Sequence, residues 1–465
     1  MNLGEDCILL KRAQTIADII KKTSSVHVVS HIDADGLTSG AIAVKTLKRL
    51  GKDYSIEFVK QLDEMVVKRL TKEQYELVWF TDLGSSIVDT VTSFPLIVTD
   101  HHVCNSSSNV SYHLNPHLFG YDGSYELSGA GATYFVSKAV DTSNQDLAAL
   151  AVVGACGDLQ DRKMRRLTSL NEQIITDGKK EGVVDSRLDI QYFGRETRPI
   201  YKLLQYANDP IIPGVTGREK ASLRFLKEID IPLKDGEKWR YWIHLSTNER
   251  RKIISSIAKR LLSKGFGHQI TKRLIGQVYT LDEELEGTEL HDAKEFATLL
   301  NSTARYGQFD VGLSVCLGNR KKALTKARSL LRGHRHNLVE GIQFAKEEGI
   351  EQRDFVQFFH AKQGIRDTIV GIVANMLLND EEVRNDLPLV GFADKNDAEV
   401  KASARATQLL VDKGLDLSQV MNQSAGKVEG AGGGHNIAAG ATIPKGKEEE
   451  FLNYFEKEVK RQLTS

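Results

Sequence analysis

Val26-His27-Val28-Val29-Ser30-His31-Ile32-Asp33-Ala34-Asp35-Gly36 is the stretch on which the fold is decided. A short β-branched run ends in a histidine and two spaced aspartates, and Leu37 to Leu50 then carries apolar residues at the spacing of an amphipathic helix. A strand that exits into polar residues and turns into a helix opens a βαβ unit. Strands so connected lie parallel, and their polar exits converge at one end of the sheet. The pattern recurs: Leu77-Val78-Trp79-Phe80 leads into Thr81-Asp82-Leu83-Gly84, and Leu96-Ile97-Val98-Thr99 into Asp100-His101-His102. A fourth apolar run, Leu147 to Val153, leads into Gly154-Ala155-Cys156-Gly157-Asp158, and all four motifs are read as strand exits sharing one crevice.

Residues 181–285 differ. Strand signals are rare there, helical patterns dominate, and Trp239-Arg240-Tyr241-Trp242 interleaves aromatics with a base. After Leu299 the alternation returns, with Val311 to Leu317, Leu387 to Ala393 and Val400 to Ala404 as strand candidates. The expected fold class is α/β: a parallel sheet flanked by helices over 1–180, a helical insertion over 181–285, and a second, smaller α/β domain over 286–465.

Composition narrows the function less than position does. The 465 residues hold 62 basic and 62 acidic side chains, so global charge says nothing about nucleic acid. Residues 161–280, however, carry 25 bases against 14 acids. Cys7, Cys104, Cys156 and Cys316 form no CxxC pair, which excludes a zinc ribbon or a disulfide framework and points to reduced thiols. The N-terminus has no signal-peptide apolar region, and no stretch is long and apolar enough for a membrane span, so a cytoplasmic protein without membrane contact is expected.

The chemistry lies in what the strand exits deliver: His31, Asp33, Asp35, Asp82, Asp100, His101, His102 and Asp158. Five carboxylates gathered in one cleft cannot all stay ionised without compensating positive charge. Divalent cations supply it, and hard oxygen ligands with a few imidazoles suit Mn2+ or Mg2+ better than zinc. One carboxylate bridging two ions is the economical arrangement. Taken singly, each motif is equally readable as a helix cap or a surface histidine; the ordered set of four is what favours a site.

HIDADG, TD, DHH and GACGD resemble the four motifs of the DHH phosphoesterase superfamily. Gly430-Ala431-Gly432-Gly433-Gly434-His435 is similar to the GGGH signature of its associated C-terminal domain, and Lys401-Ala402-Ser403-Ala404-Arg405 to the Ser-x-Arg segment of that domain. Length and the helical insertion most resemble archaeal RecJ-like proteins, the GINS-associated nucleases, which are related to a eukaryotic replicative-helicase subunit.

The resemblance implies His31, Asp33 and Asp82 as ligands of one Mn2+ or Mg2+ ion, and Asp35, Asp82, His101 and Asp158 as ligands of a second. Asp82 would bridge, His102 would face the substrate phosphate, and Asp100 would orient His101. Ser403, Arg405, Gly432, Gly433, Gly434 and His435 would bind substrate, with the active cleft between the two α/β domains. The implied activity is a two-metal, single-strand-specific exonuclease, 5′-to-3′ on DNA, working with the GINS complex and the replicative helicase. A 3′-to-5′ RNA exonuclease, oligoribonuclease or nucleotide phosphatase is the enzymatic alternative, and a replication scaffold the non-enzymatic one.

Other features have plainer readings. Seven bases and no acid over 320–335 could follow a phosphate backbone or form a solvated helix face. Trp239 and Trp242 fit a helical core or a docking surface better than base stacking. Cys104 and Cys156 are read as buried thiols rather than ligands. Ser85 and Ser86 are positioned to cap a following helix.

Overall fold

Strand β1 (Ser25–His31) runs through the middle of a sheet because both of its faces are apolar: Val26, Val28 and Val29 are all buried. It pairs in parallel with β2 (Asp53–Val59) on one side and β3 (Val78–Thr81) on the other. Beyond β3 lie β4 (Leu96–Thr99) and β5 (His113–Leu114), giving the all-parallel order β2-β1-β3-β4-β5. The chain moves outward from β1 to β2 and then to β3 on the opposite side. The topological switch therefore falls at the carboxyl ends of β1 and β3, where open α/β sheets place their ligand crevice.

The computed structural model describes residues 8–88, 94–104, 109–378, 380 and 383–464; Cys7 lies outside the described residues. The chain forms two compact units, Met1–Ser329 and Leu330–Ser465. In the first, the sheet is accompanied by α1 (Ile8–Lys22), α2 (Ala34–Arg49), α3 (Glu64–Glu73), α4 (Gly129–Val140), α5 (Ala148–Gly157) and α6 (Leu170–Lys180). Asp33 caps α2, accepting the Gly36 amide at 2.9 Å, so the helix starts directly on the β1 exit. Small residues let α2 pack against α4 and α5 with almost no surface left exposed.

Two expected strands are helices. The run before Asp158 is α5, so this aspartate leaves a helix terminus rather than a strand. Val311 to Leu317 falls within α12 (Phe309–Cys316) and the residue that ends it. Apolar runs buried on every side lose the periodicity that separates the two forms. The sequence reading also missed β2, in which Tyr54, Ile56 and Phe58 alternate with the exposed Asp53 and Ser55 and the half-buried Glu57.

The inserted module begins with β6 (Asp185–Ile190) and holds α7 (Ile200–Gln205), α8 (Glu219–Glu228), the short pair β7 (Lys234–Asp235) and β8 (Lys238–Trp239), α9 (Thr247–Ser263) and α10 (His268–Lys272). It closes with β9 (Ile275–Thr280), antiparallel to β6. Its core, among others Ile190, Leu203, Leu226, Trp242 and Ile257, is its own. Trp242 is fully buried there, as the core reading expected. Next come α11 (Ala293–Arg305), α12 and α13 (Lys322–Glu348). Asn301 on α11 accepts the Ala34 amide at 3.0 Å, tying this helix to the start of α2. Residues 286–329 thus belong with the first unit, whereas the sequence reading assigned them to the second domain.

In the second unit a six-stranded mixed sheet has the order β10 (Glu351–Gln352), β11 (Gln357–His360), β12 (Leu389–Asp394), β13 (Glu399–Arg405), β15 (Ala438–Pro444), β14 (Ala431–Gly434). Helices α14 (Val370–Leu377), α15 (Gln408–Asp412), α16 (Leu417–Gly426) and α17 (Glu448–Thr464) accompany it. Among the described residues no helix is long and apolar enough to cross a membrane. Phe392 lies in this unit's core, its ring 4.9 Å from His360 and 6.0 Å from Phe451. Phe392→Ala is expected to cost about 3–5 kcal/mol through lost burial and a residual cavity, read as a lowered midpoint of chemical denaturation.

Candidate metal centre

Each acidic side chain is aimed by a local backbone feature. Asp33 divides its carboxylate: one oxygen caps α2 and the other lies 3.0 Å from His31 Nδ1. Cap and candidate ligand are the same residue. Asp35, in the first turn of α2, accepts the Gly129 and Ala130 amides at 2.7 and 3.0 Å, so the N-terminus of α4 holds a carboxylate that is otherwise wholly buried. Asp82 follows β3 at φ 60°, a left-handed conformation that costs an aspartate energy and turns its side chain into the crevice. Its amide donates to Thr99 O at 2.8 Å, fixing the turn against β4.

His101 is the hub. Its Nδ1 donates to the Gly123 carbonyl at 2.7 Å, which leaves Nε2 facing Asp158 at 3.1 Å, Asp82 at 3.2 Å and Asp35 at 3.8 Å. The sequence reading gave the orienting role to Asp100; the structure corrects this. Asp100 accepts the amides of Ser85, His101 and His102, and its Oδ1 lies 2.8 Å from His102 Nδ1. It therefore shapes the loop and orients His102, whose side chain is 58% exposed.

Three sets of donor atoms each lie within 4.8 Å of one another: His31, Asp33 and Asp82; Asp35, His101 and Asp158; Asp82, His101 and His102. Asp82 belongs to two of them, as a bridging ligand must. Its Oδ1 is buried and receives no hydrogen bond of good geometry from the described residues. A buried carboxylate oxygen left so is costly unless a cation takes the lone pair. The oxygen-rich donor set thus fits hard divalent cations.

Protonation follows the crowding. Burial opposes charge on His31, yet Asp33 and Asp82 lift its pKa to about 11. Burial likewise opposes charge on His101, but Asp158, Asp82 and Asp35 raise it well above its ordinary value. Asp82, despite its burial, is held below the usual carboxylate range by His101 and His31. Burial raises Asp35, reinforced by Asp82 and Asp158, and pushes Asp158 up to about 7. Asp100 stays low against its burial because His102 bonds to it, and that bond raises His102.

Several supporting residues went unread in the sequence. A Cβ on Gly129 would stand 2.4 Å from Asp82 Oδ1, and one on Gly154 2.3 Å from Asp35 Oδ1, so both positions need glycine for the carboxylates to fit. Gln160 donates to the same Gly123 carbonyl at 2.8 Å. The run Ser128-Gly129-Ala130-Gly131-Ala132 was the available signal, a capped small-residue helix start that admits close approach. Among the described residues Ser85 caps no helix; it joins a buried network with His113 and Asn115. Cys156 and Cys316 are buried, with Cys156 pushed well up by burial, whereas Cys104 is partly exposed rather than buried.

In the second unit the strand register brings the predicted residues together. Ser403 and Gly433 pair with Gly440 from opposite sides, and Arg405 and Gly434 pair with its neighbours Ala438 and Ala439. Gly432 to Gly434 form an edge strand, and the exposed His435 begins the turn to β15. Lys401, overlooked earlier, lies on the same strand face as Ser403 and Arg405 and approaches the Gly440 backbone. In the first unit Arg320 pairs with Glu284 and Arg328 with Glu289, which favours the solvated-face reading for that part of the basic run.

The sequence matches the DHH family N-terminal domain over residues 25–155, the DHH-CID domain over 192–275 and the DHHA1 domain over 354–461. An uncharacterized protein of Methanocaldococcus jannaschii is 30% identical, covering 98% of this chain and 99% of its own length. The chain belongs to the DHH family, and its fold is that of RecJ. RecJ of Thermus thermophilus in complex with Mn2+ superposes with a TM-score of 0.59 at 16% identity, over 97% of this chain and 55% of that one. The chain thus spans about half the length of that RecJ. CDC45 of Entamoeba histolytica superposes with a TM-score of 0.67 at 13% identity, over 98% of this chain and 99% of its own.

Two outcomes test the centre. Gly154→Ala, by displacing Asp35, should weaken Mn2+ binding at least about tenfold, an effect of the size typical for groups that orient ligands, measured by calorimetry. Protons on His31 and His101 compete with the ion across the neutral range, and the proton on Asp158 joins them below about 7, so affinity should fall throughout as pH drops, by about tenfold per unit for each proton expelled, and most steeply below about 7. Titrations in buffers of different ionisation enthalpy would read the proton release directly, and affinity independent of pH would contradict the ligand set.

Proposed function

We propose that this protein is a divalent-metal-dependent phosphodiesterase acting as an exonuclease on single-stranded nucleic acid, with 5′-to-3′ digestion of DNA as the leading form. The observation that carries it is the complete cage: His31, Asp33, Asp35, Asp82, His101 and Asp158 converge on the switch point of a parallel sheet. Asp82 Oδ1, buried 3.2 Å from His101 Nε2 without a well-aligned hydrogen bond, keeps a lone pair for an ion. The RecJ-like fold, known in a complex with Mn2+, supports the same assignment and favours Mn2+, with Mg2+ as the second candidate.

Two divalent cations held by these ligands supply charge neutralisation at a phosphodiester and lower the pKa of water. The chain supplies the rest. Asp35 and Asp82 are fixed by helix-terminal amides and by a strained turn, so the cage is organised before substrate arrives. His102, held by Asp100 through Nδ1, presents Nε2–H to a non-bridging phosphate oxygen or to the leaving oxygen. In the second unit Lys401, Ser403, Arg405 and the Gly432–Gly434 strand would contact flanking phosphates through charge and exposed amides, with His435 beside them.

A second reading, a scaffold in a replication assembly that includes a GINS-type partner, is favoured by the likeness to CDC45 over nearly the whole chain. Retention of the cage argues for catalysis alongside it. End-labelled DNA and RNA oligonucleotides incubated with Mn2+, Mg2+ or chelator decide substrate, polarity and ion together. Single nucleotides released from the 5′ end of DNA with Mn2+ are expected. Asp82→Ala should lower the rate by at least about a thousandfold, on the scale of losing electrostatic stabilisation of the reacting group, and His102→Ala by less. Undiminished digestion by Asp82→Ala would remove the metal assignment.

A further inference from the structure

Apart from the metal centre, the first unit contains a second concentration of charge, in which three arginines meet among acids. Arg187 on β6, Arg195 just beyond it and Arg250 on α9 converge on one oxygen of Asp189, at 3.7, 3.7 and 3.5 Å. All three separations exceed hydrogen-bonding distance. Asp189 is already engaged: its oxygens accept the Trp242 indole N–H at 3.0 and 3.1 Å and the Ile190 amide at 2.8 Å.

The arginines keep donors to spare. Arg187 Nε, Arg195 Nη1 and Arg250 Nε are buried and find no acceptor among the described residues, although Arg195 also bonds Asp292 and Arg250 donates to Ile243 O at 3.0 Å. Arg195 is 97% buried, whereas Arg187 and Arg250 keep 38% and 23% of their side-chain surface, so the cluster opens to solvent on one side. Three guanidiniums face Asp189 and Asp292; Glu196 also acts on Arg195, whose pKa these acids raise against its burial, and the exposed Glu286 acts on Arg250 from the surface. Burial, with Arg187 and Arg195, lowers the Arg250 pKa against the pull of Asp189. The three unpartnered N–H groups call for an acceptor with several oxygens, and a tetrahedral oxyanion offers them in a geometry that guanidinium forks match.

We infer that Arg187, Arg195 and Arg250 form a binding site for a phosphate group, carried by inorganic phosphate or by a nucleotide. The anion joins β6, the start of the inserted module and α9, so its binding stiffens the root of that module. It shares no residue with the metal centre.

The test uses the full chain treated with chelator, melted in phosphate or in a nucleoside monophosphate against chloride at matched ionic strength. Saturating phosphate should raise the melting temperature by about 3 °C, as expected for a ligand bound only by the native state, and Arg187→Gln/Arg250→Gln should lose the rise. The larger of the two shifts identifies the carrier. No shift in the natural protein, or an equal shift in the variant, overturns the proposal. Crystals of the natural protein soaked in tungstate give a variant-free readout: an anomalous peak among the three guanidiniums supports the site, and none there overturns it.

Discussion

Mutual repulsion of Asp33, Asp35, Asp82 and Asp158 is the constraint around which the first unit is built. Like charges this close stay ionised only where opposite charge or oriented dipoles meet them. The chain meets them with imidazoles from His31 and His101, two amides at the start of α4, and a turn that tolerates left-handed geometry at Asp82. The strands β1, β3 and β4 are short and buried, and their rigidity holds the carboxylates where relaxation would separate them.

Support spreads outward in layers. Gly123 fixes the ring of His101, Gln160 braces the same carbonyl, and Asp100 gathers three amides while holding His102. Helix α11 reaches back to the first residue of α2 through Asn301, so a segment distant in sequence steadies the loop bearing Asp33 and Asp35. The inserted module follows a different logic. Its apolar core is its own, and just beyond β6 a charged knot joins Arg195 to Asp189 and to Asp292 at the start of α11.

The candidate ligands were legible as a set because their positions obey a local rule: a β-rich run followed at once by Asp or His, repeated in order. The three true strand exits, at His31, Asp82 and Asp100, follow it. Asp158 was found by the same rule for the wrong structural reason, since it leaves α5, a helix whose small apolar residues hide its period. Asp100 was placed correctly in the loop but paired with the wrong histidine, because which imidazole meets its carboxylate depends on a carbonyl at Gly123, twenty-two residues onward.

The sequence by itself determined the α/β class and the motifs of the DHH family, since each is carried by neighbouring residues whose periodicity or chemistry is local. Tertiary structure alone decided that α11 and α12 join the first unit, that Gly129 and Gly154 make room for carboxylates, and that three arginines meet at Asp189. Those outcomes depend on contacts between segments far apart in the chain, and no local pattern encodes which distant surface a buried helix or an ion pair will face.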